Sequence, residues 1–174
     1  IQSNKGYLLD CSENSTGELI KDLSKYKLRS IVEIEDLSNK FVVGVISALK
    51  FQELQKELKV NDNTIVYRDT PVFLDLRNKE LGARIISPLE KLYLTIKKLN
   101  LSIIDNKNYY SLAHKLGVPE KGLLNLKDQL FGLEANFETL QAIDFKKGCF
   151  VGQENTARMK LKNKLRRRLL PISS

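Results

Sequence analysis

The residues best suited to chemistry stand together near one end of the chain: Lys146-Lys147-Gly148-Cys149-Phe150-Val151-Gly152-Gln153-Glu154. Cys149 is the candidate catalytic group, because a thiolate is a strong nucleophile and a soft ligand. Lys146 and Lys147 beside it favour that charged form. Residues 155–165 have helical composition and contain no Gly or Pro, so the motif reads as a tight turn feeding a helix N-terminus. Free N–H groups at a helix start attract anions and add to the same field. Gly148 and Gly152 permit backbone angles that other residues resist, or let a ligand approach the main chain. Glu154 falls in the first turn, where negative charge is favourable, and Arg158 is spaced to pair with it one turn on. The same residues also fit a bland role, with Cys149 as a small buried apolar group and the glycines shaping a turn.

Elsewhere the chain offers little metal or disulfide chemistry. Cys11 and Cys149 are far apart, and neither has a second Cys or a His at ligand spacing. This excludes a readable zinc site or disulfide framework and points to a reducing compartment, for which the cytoplasm is the expectation. His114, the single histidine, falls in an expected helix, where an exposed or capping role suits it better than that of a base. No apolar run approaches the length of a membrane span.

The net charge of +8 is concentrated. Residues 1–145 carry 20 basic and 20 acidic side chains, whereas residues 146–174 carry nine basic groups against Glu154 alone. Such a segment suits phosphate or an acidic small molecule. A nucleic-acid module more often interleaves aromatic residues among its cations, and 160–168 has none.

The elements that must hold these groups follow from periodicity. Strands are expected at 6–10, 30–36, 41–47 and 64–67, and helices at 17–27 and 51–58. Ser15 or Thr16 caps the first helix, and Glu18 completes a capping box with Ser15. Asp69-Thr70-Pro71 reads as a turn. The order strand, helix, strand, strand, helix, strand is that of a ferredoxin-like βαββαβ unit in an α+β fold. A strand at 83–87 follows, then a helix opened by Pro88 over 89–99 and a short strand at 101–104. A helix at 108–116 closes on Gly117, with Pro119 beyond. Residues 121–132 read as a loop, 137–142 as a short helix and 165–172 as a final strand. The chain opens on Ile1, inside an expected strand, so it is expected to be part of a longer protein.

The run Lys147-Gly148-Cys149-Phe150-Val151-Gly152-Gln153-Glu154 resembles the signature of the folate-binding YgfZ family. These proteins are relatives of the glycine-cleavage T-protein, an aminomethyltransferase, and act in iron–sulfur protein maturation. Asp75-Leu76-Arg77 with Leu81-Gly82-Ala83-Arg84, Leu133-Glu134-Ala135-Asn136 and Arg166-Arg167-Arg168-Leu169 resemble its flanking elements. The chain departs from the family where Ala113 stands for a frequent Arg and Gly132 for a frequent Pro.

The resemblance implies a T-protein-like fold of three lobes around a channel holding tetrahydrofolate, with an N-terminal segment and a C-terminal β-barrel outside this chain. It divides the chain into a ferredoxin-like unit (1–70), a folate-binding region with the cysteine motif (71–164) and the first strand of the barrel (165–174). It implies Cys149 as the essential group within the motif Lys147, Gly148, Phe150, Gly152, Gln153, Glu154 and Arg158. Arg84 and Glu134 are the implied folate contacts, although Arg84 also suits a surface ion pair. The implied partners are folate and iron–sulfur client or assembly proteins. A folate-dependent aminomethyltransferase is the alternative activity, and a basic nucleic-acid-binding module is a third reading.

Overall fold

The computed structural model describes residues 2–3, 6–120, 122–148, 153–161 and 165–172. The fold is α+β, with one four-stranded antiparallel sheet and five α-helices among these residues. The chain divides into two compact units, one of residues 1–74 with 83–102 and one of 75–82 with 103–174.

The first unit opens with β1 (Gln2–Ser3) and β2 (Gly6–Tyr7), which pair with each other. Helix α1 (Thr16–Tyr26) follows. Its cap differs from the expected box: Ser15 is the N-cap, but its side chain makes no capping hydrogen bond. The sheet comprises β3 (Val42–Ile46), β4 (Thr64–Tyr67), β5 (Thr70–Leu74) and β6 (Ala83–Ser87) in the order β3-β6-β5-β4. Helix α2 (Ala48–Leu58) links β3 to β4, and α3 (Leu89–Lys98) follows β6.

Period-2 alternation puts Ile46, Ile65, Tyr67, Val72, Ala83 and Ile85 into one buried cluster, and α2 adds Phe51 and Leu54 to it. Ser47 starts α2 by accepting the Lys50 N–H, and Pro88 starts α3 as expected. Arg84 lies on the strand that pairs with both β3 and β5, so its backbone is fixed from two sides.

This is not the βαββαβ sheet expected. Residues 30–36 form no strand, and β2 stays outside the sheet. Alternation shows which way side chains point. It becomes a strand only where the backbone finds a ladder partner. Around 30–36 most residues are exposed to water, and the backbone bonds there are local: Ser30 N–H donates to Lys27 O at 2.8 Å, Val32 N–H to Ser30 O at 2.9 Å, and Lys27 Nζ to Val32 O at 2.9 Å.

The turn expected at Asp69-Thr70-Pro71 falls one residue earlier. Arg68 and Asp69 both have positive φ, as a two-residue hairpin turn requires, and Thr70 pairs with Tyr67. Pro71 is therefore inside β5. It is tolerated there because β6 pairs with β5 only from Val72 to Leu74.

Three helices end on the same left-handed cap, built on three different residues. Val60 N–H donates to Gln55 O across Lys59 (φ 55°), Leu101 to Ile96 across Asn100 (φ 51°) and Val118 to Ala113 across Gly117 (φ 73°). Only the glycine sits in this region without a Cβ cost. Lys59→Gly is therefore expected to stabilise the protein by about 0.5–1 kcal/mol. A urea midpoint unchanged or lowered by the substitution would contradict that.

The second unit contains α4 (Asn106–Lys115) and α5 (Gln153–Leu161). Its core gathers Leu81, Ala113, Val118 and Leu140, with Tyr109 and Leu116 against them. Ala113 is fully buried, so the arginine frequent at that place in the resembled family has no counterpart in the core here. The expected short helix at 137–142 is a hydrogen-bonded turn. Residues 131–136 and 136–141 make two successive single turns, each closed by a left-handed residue, Asn136 (φ 61°) and Gln141 (φ 55°). Gly132 allows the first of them, since a Cβ there would stand 3.0 Å from the Phe137 ring. Residues 101–104 and 165–172 form no strand.

Candidate functional site

Cys149, Phe150, Val151 and Gly152 lie outside the described residues. Their flanks are described. The Lys146 N–H donates to Asp144 Oδ1 at 2.8 Å, which turns the chain before the motif. Lys147 and Gly148 are exposed, and a Cβ on Gly148 would meet nothing within 4 Å. Gly148 does not use the left-handed region. On the far side, α5 begins at Gln153, as the composition of 155–165 anticipates. Arg158 pairs with Glu154 at 2.6 Å one turn away. Both side chains are largely exposed, so the pair contributes only about 0.3–0.5 kcal/mol.

No residue of α5 is fully buried, although Thr156, Ala157 and Met159 are half-buried. Lys160 pairs with Glu138, and its ammonium stands 3.9 Å from the centre of the Phe145 ring. Residues 165–172 are tied to the same run of turns by Glu134 and Asn136. Leu169 N–H donates to Glu134 O at 3.0 Å, and Asn136 Nδ2 donates to Leu169 O at 2.6 Å.

Glu134 is placed by its own turn. Its Oε2 accepts the Phe131 N–H at 3.1 Å, the reach-back of a capping box at the third helical position. Arg167 grips the same carboxylate with two bonds, Nε to Oε1 and Nη2 to Oε2, each at 3.2 Å. Only 6% of the Glu134 side chain is exposed. The Phe131 N–H, and then Arg167, hold its carboxyl below the usual carboxylate range, against the opposing effect of burial.

Between α5 and Arg166-Arg167 lies an open groove of about 670 Å³. Phe131 and Met159 give it apolar surface, and Arg158, Arg166 and Arg167 line it with Glu134. The structure thus brings Glu134 and Arg158 of the expected site residues to one groove. Arg84 belongs to the first unit, where it pairs with Asp10, and both side chains are largely shielded from solvent.

One charged constellation escaped the residue-by-residue reading. Arg77 binds Asp75 through two bonds, Nε to Oδ1 at 3.0 Å and Nη2 to Oδ2 at 2.7 Å. Its Nη2 also reaches Glu120 Oε1 at 2.6 Å and Tyr109 Oη at 3.2 Å, and the Tyr109 hydroxyl donates to Glu120 at 2.6 Å. The hydrogen bond to Asp75 is the largest cause pushing the Arg77 pKa above its ordinary value. The signal was present in Asp75-Leu76-Arg77, but Glu120 and Tyr109 are remote in sequence. His114 is exposed in the last turn of α4. Cys11 is a free, exposed thiol with Sγ 3.6 Å from Thr16 Oγ1.

Comparison with known proteins places this geometry in context. No protein-family model matches the chain. The chain is 28% identical over 176 residues to the iron–sulfur cluster assembly factor IBA57 homolog, mitochondrial, of Dictyostelium discoideum, covering 95% of this chain and 40% of the relative. It is 28% identical to the mouse iron–sulfur cluster assembly factor IBA57, mitochondrial, over 95% of this chain and 44% of the relative. To the human protein of that name it is 29% identical, over 96% and 45%. The chain therefore spans less than half the length of these relatives.

These relatives are named as mitochondrial, and this overturns the expectation of a cytoplasmic protein. Unpaired cysteines argue only against an oxidising compartment and do not discriminate between reducing ones. No helix among the described residues is long and apolar enough to cross a membrane.

Proposed function

We propose that this chain acts in iron–sulfur cluster assembly, as part of a tetrahydrofolate-binding protein whose essential group is the thiolate of Cys149. The observation that carries the reading is similarity along 95% or more of the chain to proteins named as iron–sulfur cluster assembly factors. The cysteine motif supports it, as does a helix that takes up the motif's last two residues, Gln153 and Glu154. The partners are then iron–sulfur assembly or client proteins. The fold is read as the T-protein-like one, with the folate-binding region within 71–164.

The two residues expected to contact folate have ion-pair partners within the chain. Arg84 is engaged by Asp10 and Glu134 by Arg167. The groove beside α5 would also suit folate's acidic, aromatic half, since it sets Arg166 and the paired Arg158 and Arg167 beside apolar surface. Tetrahydrofolate would supply a carrier for one-carbon units.

The test is complementation of a strain lacking its own iron–sulfur assembly factor. The protein carrying this chain should restore the activity of an iron–sulfur reporter enzyme. Expression without restoration would count against the assembly role. Calorimetry with tetrahydrofolate tests the cofactor separately, and absence of saturable heat would remove folate from the reading.

A further inference from the structure

The four-stranded sheet ends on a bare edge. β3 pairs with β6 on one side, and among the described residues no strand pairs with its other side. Charge, proline and bulges are the features that keep such an edge from accepting another strand. Residues 41–47 carry no charge and no proline, and β3 runs without a bulge from the Val42–Ser87 pair to Ile46–Ala83. We propose that residues 32–36 are a strap that closes antiparallel onto this edge, and that the structure holds the strap open.

The turn between the two segments identifies the occupant. Leu37 O accepts the N–H of Lys40 and of Phe41, both at 2.9 Å. Ser38 N–H donates to Asp36 Oδ1 at 2.9 Å, and Lys40 pairs with Glu35 at 2.6 Å. The bond from Phe41 to Leu37 is the first rung of a ladder. Continued, it sets Ile34 opposite Gly44 and Val32 opposite Ile46, with Glu35 opposite Val43 and Glu33 opposite Val45. Ile46 belongs to the core, and a Cβ on Gly44 would stand 3.3 Å from Leu92 Cδ1, so α3 covers this face of β3. Val32 and Ile34 join that face, and Ile34 fills the place beside a residue with no side chain. The glutamates fall on the other face, where Val43 and Val45 are 45% and 42% exposed. A slip of one residue would exchange the two sets.

The backbone fits the same register. In an antiparallel pair only alternate residues bond across. Counted from Leu37 and Phe41, the bonded pairs are Glu35 with Val43 and Glu33 with Val45. Among the described residues no hydrogen bond engages the backbone of Glu33 or Glu35. Val32 is engaged: its N–H donates to Ser30 O and its O accepts from Lys27 Nζ, each at 2.9 Å. Val32 falls at a non-bonded pair, so both bonds survive closure.

The double variant Glu33→Cys/Val45→Cys, made in the whole protein carrying this chain and mildly oxidised, tests the closure, with bridged peptides read by mass spectrometry. The two thiols should join within one molecule, since facing residues lie within bridging distance. Glu33→Cys/Val43→Cys, a diagonal pair, should bridge at least about tenfold less. In the unsubstituted protein, the Glu33 and Glu35 amides should exchange at least about tenfold more slowly than that of Ile34, which points away from β3. Thiols that stay free, or Glu33 and Glu35 amides that exchange as fast as Ile34, would overturn the strap. A bridge between two molecules through position 45 would assign the edge to a second copy and overturn it as well.

Discussion

Arg77→Ala is expected to destabilise the second unit by about 3 kcal/mol, among the largest effects of any polar substitution in the chain. Asp75 is 6% exposed and Glu120 19%, so both carboxylates have little water to turn to when the guanidinium is removed. Tyr109 Oη would keep Glu120, and Asp75 would keep the Arg77 backbone N–H at 3.1 Å, but Asp75 would lose both bonds to the guanidinium. The cost is mainly that of a buried carboxylate losing its cationic partner.

The network also positions the chain. Asp75 N–H donates to Gly82 O at 2.9 Å and Gln141 Nε2 to Leu76 O at 3.0 Å. Arg77 thereby ties residues 75–82 to α4 and to Glu120. Lysine at this position keeps the charge but cannot form the planar double bond to Asp75, so Arg77→Lys should recover less than half of the loss. Urea unfolding followed by a signal from the second unit measures it. A loss under about 0.5 kcal/mol for Arg77→Ala would mean that the network is a surface ornament.

Phe51→Ala should cost the first unit about 3–5 kcal/mol. Phe51 is fully buried where α2 meets Ile46, Ile65, Val72 and Ile85, so truncation leaves a void among strands already fixed by their ladders. Those strands cannot close over it without breaking register. Leu49, two residues away on the same helix, is 72% exposed. Leu49→Ala should shift stability by no more than about 0.5 kcal/mol. Equal losses for the two variants would contradict the facing assigned to α2.

Much of this was legible in the sequence where one local signal sufficed. β4 matched its expected range, β6 likewise, and Pro88 and Gly117 marked the ends of helices by their own backbone chemistry. The Glu154–Arg158 pair followed from helical spacing. What could not be read was pairing. Residues 30–36 alternate like a strand, yet a strand also needs a neighbour, and the neighbour of β3 proved to be β6, some forty residues on. The left-handed caps at Lys59 and Asn100 carry no glycine to announce them.

The candidate site shows the same limit. Glu134 could be picked out, but its engagement by Arg167 depends on a docking between segments 33 residues apart. Arg84 was weighed between cofactor and ion pair, and its partner Asp10 lies 74 residues away. Opposite charges find each other through the fold, and composition alone does not name the pairs.

The central claim is an iron–sulfur assembly role exercised through Cys149, and the activity of an iron–sulfur reporter enzyme in complemented cells tests it most directly. With the parent protein, activity should return. With Cys149→Ala it should stay near the level of uncomplemented cells, while Cys11→Ala, expressed equally, should behave like the parent. Full restoration by Cys149→Ala would contradict the account.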